Sequence, residues 1–296
     1  MKQIAIIGPT ASGKSDLAIA IAKEMNAYIL SIDSLSIYKE IDIVSAKPSS
    51  KELAQIKHYG INELFVNEHF SVDIFIDLYK KVHFTCNKEN KNLVIVGGTS
   101  FYLKSLLEGL SSLPKINQEH SLHVTAQLQD LDACYKLLTK IDTAYMQKIA
   151  PNDKYRIEKA LLIYEASGIT PSEWFKQNPP KPVIPDIDIY NIDVEREVLR
   201  ERIQKRTQKM YEQGLIDEVC FLEQKYTRTP HAMGAIGIVE VLDYLDGKIE
   251  KDEMLSLIST HTAQLAKRQQ TFNRTQFTDV SSAKLEDLEK LILNKF

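Results

Sequence analysis

Cysteine, tryptophan and long apolar stretches are all scarce in this sequence of 296 residues. The three cysteines, Cys86, Cys134 and Cys220, form no Cys-x-x-Cys pair, which argues against a disulfide framework or a cysteine-based zinc site. The seven histidines form no His-Glu-x-x-His pattern. No apolar run approaches the ~20 residues that a membrane span requires, and no charged leader precedes the first apolar segment. We therefore expect a reduced, cytoplasmic protein that does not enter a membrane.

An excess of charge of one sign is also missing. The formal net charge is −3, which argues weakly against a nucleic-acid partner. The local balance differs, because residues 196–209 contain six basic and two acidic side chains. This run is compatible with a solvated helix face or with a phosphate-binding face. Total charge therefore leaves the partner open.

The most specific pattern is G-x-x-x-x-G-K-[ST], here called the phosphate loop. It consists of Gly8, Pro9, Thr10, Ala11, Ser12, Gly13, Lys14 and Ser15. An apolar run before it predicts a buried strand, and apolar residues at helical spacing follow it. In this setting the glycines let backbone N–H groups surround an anion, and the helix N-terminus adds its dipole. Lys14 would contact phosphate oxygens and Ser15 would bind Mg²⁺, but the pattern leaves the ligand open.

Strand and helix patterns alternate in the first third of the chain. Strands are predicted at residues 4–7, 28–32 and 92–96, and helices at residues 16–25 and 101–107. This alternation predicts an α/β fold of the P-loop NTPase-like type, with a parallel sheet flanked by helices. The residues that follow the three strands, Gly8, Asp33 and Thr99, would then converge on the carboxyl edge of the sheet.

After residue 114 the pattern becomes helical. Helices are predicted at residues 120–140, 143–149, 155–166 and 196–213, and one further strand at residues 186–194. The remainder of the chain is predicted to be mainly helical. We expect two domains: a P-loop-like catalytic core, residues 1–114 and 181–296, and a smaller all-helical insertion domain, residues 115–180.

Two of the strand ends carry candidate chemistry, and each has a structural alternative. Asp33 could direct Mg²⁺ or act as a general base, but Asp-Ser pairs also commonly begin turns. An NTPase usually places an acidic residue after its third strand to hold Mg²⁺. Here Gly97, Gly98 and Thr99 occupy that position, which argues against an ordinary ATPase. The same three residues could instead form a glycine turn into a helix capped by Thr99.

Several short elements occur together in one order. They are the phosphate loop, Asp33-Ser34, Ala46-Lys47-Pro48, Gly97-Gly98-Thr99, Pro151-Asn152-Asp153, Arg196-x-x-Leu199-x-x-Arg202, Ala235-Ile236-Gly237 and Ala266-Lys267-Arg268-Gln269. With these elements the sequence closely resembles the bacterial tRNA dimethylallyltransferase family, also called tRNA isopentenyltransferases. The resemblance extends over about residues 1–275.

This resemblance implies transfer of a dimethylallyl group from dimethylallyl diphosphate to N6 of adenosine 37, in tRNAs that read codons starting with U. It implies a catalytic set of Asp33 as general base, Thr99, Lys14 and Arg202. It places the diphosphate on the phosphate loop and Arg196, with Mg²⁺ on Ser15. The insertion domain would grip the anticodon stem-loop, and the enzyme would be a monomer. The implied tRNA-contacting residues are Asp33, Ser34, Leu35, Ser36, Thr99, Tyr155, Arg156, Ile157, Glu158, Lys159, Lys267 and Arg268.

The sequence departs from the family pattern towards its carboxyl end. The family usually has one basic residue before an Ile-Gly-Tyr element and another soon after it, whereas the string here is Gly234-Ala235-Ile236-Gly237-Ile238-Val239-Glu240, and Ala263 replaces an arginine. We therefore expect a thinner RNA-binding surface there. A small-molecule P-loop kinase, an isopentenyltransferase acting on free adenine nucleotides and a non-catalytic RNA-binding protein are the alternatives. The helical insertion favours a macromolecular acceptor, and the missing acidic residue after the third strand argues against a kinase.

Overall fold

A six-stranded sheet lies at the centre of the computed structural model, which describes residues 1–295. Its strands are β1 (Gln3–Ile7), β2 (Ala27–Ser31), β3 (His58–Tyr59), β4 (Asn92–Gly97), β5 (Asp188–Ile192) and β6 (Val280–Ala283). All neighbouring strands are parallel, in the order β3-β2-β4-β1-β5-β6. The carboxyl ends of β2, β4 and β1 therefore lie side by side, which confirms the predicted α/β fold and the convergence of its strand ends.

Helices make up most of the remaining chain. In chain order they are α1 (Lys14–Glu24), α2 (Ser50–Leu53), α3 (Val72–Lys88), α4 (Ser100–Glu108), α5 (Gln118–Gln127), α6 (Leu131–Ile141), α7 (Thr143–Met146), α8 (Lys154–Ser167), α9 (Pro171–Gln177), α10 (Arg196–Glu212), α11 (Leu215–Tyr226), α12 (Ile238–Leu245), α13 (Lys251–Gln276) and α14 (Leu285–Leu293). A 3₁₀ turn occupies His231–Gly234. None of the helices within residues 1–295 is both long and apolar enough to cross a membrane.

Two apolar cores organise the larger part of the chain. The first lies between the sheet and the helices α1 and α14, and it includes the predicted apolar face of α1. Strands β1 and β4 are almost entirely buried, because both faces of a parallel sheet are covered. The second core joins Ile37, Ile41 and Val44, downstream of β2, to side chains of α11, α12 and α13. This core fixes the segment that follows Asp33.

Contacts divide the chain into two compact units. One comprises Met1–Leu107 and the chain from Ile184 onward, and the other comprises Glu108–Val183. The insertion domain expected at residues 115–180 lies within the second unit. The helices α5–α9 lie in that unit and no strand does, among the described residues. The unit has a hydrophobic core of its own around Leu138, Ile157 and Leu161.

Three details of the secondary structure differ from the sequence-based expectation. The single helix predicted at residues 120–140 is two helices, α5 and α6, because the Asp130 side chain accepts a hydrogen bond from Ala133 N and starts a new helix. The mainly helical carboxyl-terminal region contains β6, which pairs with β5. The two-residue strand β3 was not predicted. The predicted break before α8 is confirmed, since the Asp153 side chain accepts from Arg156 N.

Candidate functional site

The phosphate loop joins β1 to α1 through two residues in the left-handed region. Gly13 is the N-cap of α1 with φ 93°, and Ala11 has φ 62°. A Cβ on Gly13 would lie 2.9 Å from Leu285 Cδ2 of α14, so the turn has little room for a side chain. Ser12 is fully buried beneath the loop. The result is a helix N-terminus preceded by a tight loop, the arrangement that binds phosphate groups through backbone N–H groups.

Lys14 folds back against its own loop. Its Nζ donates to the Pro9 carbonyl at 2.5 Å and to Ser12 Oγ at 3.5 Å. Burial lowers the pKa of Lys14 to about 7; the positive charge of Arg206 acts in the same direction, and the Asp33 carboxylate opposes both. This lysine therefore lies where a bound anion would restore its charge.

Asp33 lies two residues after the end of β2 and begins a turn of residues 33–36, here called the Asp33 turn. Its Oδ1 accepts hydrogen bonds from Leu35 N at 2.8 Å and Ser36 N at 3.1 Å. No hydrogen bond to Oδ2 occurs within residues 1–295. The structural and the functional interpretations are thus compatible, because one carboxylate oxygen fixes the turn while the other remains available to a substrate.

Gly97, the last residue of β4, and Gly98 allow close packing against the chain at Asp33 and against Gln269 of α13. A Cβ on Gly97 would lie 2.9 Å from the carbonyl carbon of Ile32 and 3.1 Å from Asp33 N. A Cβ on Gly98 would lie 2.3 Å from Nε2 of Gln269. Thr99 completes this segment, the Gly97 turn (residues 97–99), and its Oγ1 lies 3.5 Å from Ser34 Oγ. The Gly97 turn and the Asp33 turn therefore touch directly.

Two arginines of helix α10 donate hydrogen bonds to the phosphate loop. Arg202 Nη1 donates to the Ser12 carbonyl at 3.3 Å, and Arg206 Nη1 donates to Thr10 Oγ1 at 3.0 Å. Burial lowers the pKa of Arg206, and Asp33 opposes the shift; the guanidinium nevertheless stays charged. Arg206 was only one member of the basic run in the sequence. Its i+4 spacing from Arg202 is the pattern that could have identified it.

Gln269 of α13 is a second residue that the sequence did not single out. Its Oε1 accepts a hydrogen bond from Thr10 N at 2.8 Å, and its amide group lies against Gly98. The block Ala266-Lys267-Arg268-Gln269 was part of the family resemblance, but no role followed from it. A side chain from the other end of the chain therefore completes the loop region.

These loops line one cavity of about 570 Å³ within the larger unit. Its polar lining includes residues 10–15 of the phosphate loop, Asp33 and Arg206, and its apolar lining includes Val44, Phe70, Tyr102, Ile236 and Leu265. The Tyr102 and Phe70 rings meet edge to face at 5.5 Å, and burial raises the pKa of Tyr102 to about 12, so this phenol stays neutral. A cavity lined by both anion-binding groups and apolar side chains suits a ligand that has a charged head and a hydrocarbon tail.

The remaining residues predicted to bind diphosphate or tRNA lie on α8, α10 and α13 and differ in their exposure. Arg196 is exposed in the first turn of α10, and Lys267 and Arg268 are exposed on α13. In the helical unit, the Tyr155 side chain is 69% exposed, with Lys159 Nζ 5.5 Å from its ring centroid. Arg156 is exposed, Glu158 is half-buried, and Ile157 is fully buried in the core of that unit. Ile157 therefore supports its neighbours on α8 through packing.

A magnesium ion would find few protein ligands here. No group of three or more His, Cys, Asp or Glu side chains that could hold a metal occurs within residues 1–295. Mg²⁺ commonly uses only one or two protein groups and takes its other ligands from phosphate and water. The Ser15 hydroxyl, exposed in the first turn of α1, and the Asp33 carboxylate both line the cavity and fit this role.

A phosphate loop between the first strand and first helix of a parallel sheet, with a ligand cavity at the strand ends, defines an α/β protein of the P-loop class. Residues 36–276 match the family model described as IPP transferase. The tRNA dimethylallyltransferase of Sulfurimonas denitrificans is 67% identical over 294 residues, which is 99% of each chain. The chain belongs to the IPP transferase family.

Solved structures share the fold over nearly the whole chain. The tRNA isopentenylpyrophosphate transferase of Bacillus halodurans gives a TM-score of 0.72 at 28% identity, over 99% of this chain and 95% of that one. A eukaryotic dimethylallyltransferase acting on tRNA gives a TM-score of 0.83 at 26% identity, over 98% of this chain and 75% of that one. The similarity therefore extends to proteins whose substrate is tRNA.

Proposed function

We propose that this protein is a tRNA dimethylallyltransferase, which moves a dimethylallyl group from dimethylallyl diphosphate to N6 of adenosine 37 in tRNAs that read codons starting with U. The observation that carries the proposal is the single cavity shared by the phosphate loop, the Asp33 carboxylate and an apolar wall. The comparisons support the reaction class, since the similar proteins are tRNA dimethylallyltransferases and tRNA isopentenylpyrophosphate transferases.

The donor would bind with its diphosphate on the phosphate loop. As the bond between C1 and the diphosphate oxygen breaks, negative charge grows on the leaving pyrophosphate. Backbone N–H groups at the start of α1 and the protonated Lys14 then stabilise that charge more strongly than in the ground state. Arg206, within reach of the same loop, adds a second positive charge. When bound, Mg²⁺ would contribute further charge neutralisation from Ser15.

The acceptor nitrogen would be activated by Asp33. The N6 lone pair is delocalised into the adenine ring, so N6 gains nucleophilicity if a base removes its proton as the new N–C bond forms. Asp33 Oδ2 would accept that proton, while the two backbone N–H groups on Oδ1 hold the carboxylate still. A positioned base of this kind typically contributes about 10²–10⁴-fold. Thr99, in contact with the Asp33 turn, would meet both reactants.

A base within an anticodon loop must leave its stack to enter such a cavity. The tRNA would be held by side chains on each unit: the exposed Lys267 and Arg268 on α13, and the exposed Tyr155 and Arg156 with the half-buried Lys159 on α8. Arginine and lysine contact phosphates, and an exposed tyrosine can stack on a base. We expect the protein to act as a monomer.

The test is transfer to a defined RNA. An anticodon stem-loop with adenosine at positions 36, 37 and 38, incubated with dimethylallyl diphosphate and Mg²⁺, should yield N6-dimethylallyladenosine on mass spectrometry after digestion. The same RNA with guanosine at position 37 is the matched control and should stay unmodified. A product that forms equally on free adenine nucleotides would contradict the tRNA assignment. Phosphorylation of any acceptor with ATP alone would favour a kinase.

Asp33→Asn tests the base. It keeps the size of the side chain and an oxygen that can accept from Leu35 N and Ser36 N, but it removes the carboxylate. We expect turnover to fall by about 10²–10⁴-fold with tRNA affinity retained, measured by single-turnover kinetics and filter binding. Normal turnover at saturating tRNA, together with weakened binding, would make Asp33 an anchor for the RNA.

A further inference from the structure

One side-chain amide lies between two loops of the cavity that are distant in sequence. Gln269 Oε1 accepts a hydrogen bond from Thr10 N in the phosphate loop at 2.8 Å. On its other side, the amide occupies the space of a side chain at position 98, since a Cβ there would lie 2.3 Å from Nε2 and 3.1 Å from Cδ. Gln269 thus contacts the backbone of the phosphate loop and of the Gly97 turn at once.

We propose that Gln269 is a positioning residue that sets the spacing between the phosphate loop, which holds the donor, and the Gly97 turn, which carries Thr99. This inference rests on the proposed prenyl transfer. The residue would act on neither substrate directly. It would keep the leaving group and the acceptor base in the mutual position that the reaction requires.

The chemistry of the amide suits this role. A glutamine amide is planar and uncharged, so it accepts from Thr10 N without placing negative charge beside a diphosphate. Arg206 holds the same residue by its hydroxyl, at 3.0 Å from Thr10 Oγ1. Thr10 is therefore fixed at two points by α10 and α13, whereas Gly98 provides a flat backbone surface for the amide. Displacement of a reacting group by about 1 Å can cost about 10²-fold in rate.

The first test replaces the amide. Gln269→Ala should lower kcat by about 10- to 100-fold and change KM for the donor and for the RNA by less than about threefold, because binding of each substrate alone survives. Gln270→Ala is the matched control: the amide of this neighbouring glutamine also bonds to a backbone group, donating to the Val194 carbonyl at 3.4 Å, but outside the cavity. It should behave as the unaltered protein. A rise in donor KM with unchanged kcat would overturn the proposal.

Gln269→Met separates positioning from stability. Methionine fills most of the same volume against Gly98 but cannot accept a hydrogen bond from Thr10 N. The variant protein should therefore have a lower kcat and unfold at nearly the same temperature as the unaltered protein. If the alanine variant is unstable, the methionine variant decides the outcome. Full kcat in a folded Gln269→Met protein would overturn the role of the hydrogen bond to Thr10.

A double-variant cycle tests the contact with Gly98. In the unaltered protein, Gly98→Ala forces the Gln269 amide out of place and should lower kcat about as much as Gln269→Ala does. In the Gln269→Ala background the space is free, so adding Gly98→Ala should cost less than about threefold more. Losses that multiply would show that the two residues act independently and would overturn the proposal.

The two levels of failure are distinguishable. If the unaltered protein transfers no dimethylallyl group, the proposed function itself fails. If the unaltered protein is active and Gln269→Ala matches Gln270→Ala in kcat, only the role of Gln269 fails.

Discussion

Binding of pyrophosphate to the phosphate loop should be linked to uptake of a proton by Lys14. Burial lowers the pKa of this lysine to about 7 from its ordinary value of 10.5. A bound diphosphate places several negative charges beside Nζ and raises the pKa again. Between these two pKa values the free protein carries a neutral lysine and the complex a charged one, so binding must take up a proton.

The size of the effect follows from the pKa of about 7. Near pH 7 about half of the free protein carries a charged Lys14, and at pH 9 about 1% does, so affinity should fall about 50-fold between these pH values if the lysine stays charged in the complex. At pH 8 each binding event should take up about 0.9 proton. In the unliganded protein the same lowered pKa has the opposite effect on folding: the free energy of unfolding increases with pH, whereas the affinity for pyrophosphate decreases. The unfolded chain holds the lysine proton up to pH 10.5, so Lys14 makes stability rise with pH from about 7 upwards.

Titration calorimetry with inorganic pyrophosphate and excess magnesium chloride, in buffers that differ in ionisation enthalpy, measures this proton directly. Lys14→Arg is the control, because a guanidinium stays charged throughout the range and should give a flatter affinity profile. The ligand's own ionisation is common to both proteins and cancels in their ratio. Equal pH profiles for the two proteins, or equal proton uptake by the two proteins at pH 8, would refute the reasoning.

Two further predictions concern the surroundings of the cavity. Glu218→Ala should reduce the free energy of unfolding, measured in urea, by about 2–4 kcal/mol. The reason is that the Glu218 carboxylate accepts hydrogen bonds from the backbone N–H groups of Asp42, Ile43 and Val44. A loss below about 0.5 kcal/mol, the size typical of surface substitutions, would contradict this prediction. Gly13→Ala should destabilise the fold by about 1–3 kcal/mol, since its φ is 93° and its Cβ would meet Leu285. Adding Leu285→Ala should relieve the overlap but not the backbone strain, and full recovery would show that φ is unimportant.

The parts of the site that could be predicted from sequence are those encoded locally. The phosphate loop, Asp33 and Thr99 each lie just beyond a buried strand, and parallel strands bring their carboxyl ends to one edge of the sheet however the helices pack. Short strands without a strong pattern were missed: β6 has four residues and pairs with β5 at the edge of the sheet. Asp130 is a residue type that favours the N-cap position, and the prediction of a single helix at residues 120–140 does not take this into account.

Arg206 and Gln269 could not be placed in the same way, because their partner Thr10 lies 196 and 259 positions away. Which face of α10 or α13 turns towards the phosphate loop depends on packing of the two helices on each other. The apolar residues Leu199, Ile203 and Ala266 settle it. Until that contact is known, a basic run on α10 is equally compatible with solvent and with phosphate.

That packing changes the meaning of the departures from the family pattern. Ala263, which stands in place of an arginine, packs against the apolar cluster of α10 and α13, as Ala11 of the phosphate loop also does. Gly234 lines the cavity. Neither position lies on the exposed part of α13 that carries Lys267 and Arg268. The missing basic side chains at positions 234 and 263 therefore bear on the charge around the phosphate loop, which Arg202 and Arg206 already contact, more directly than on the exposed surface proposed for tRNA. Val239, in contrast, is 40% exposed on α12.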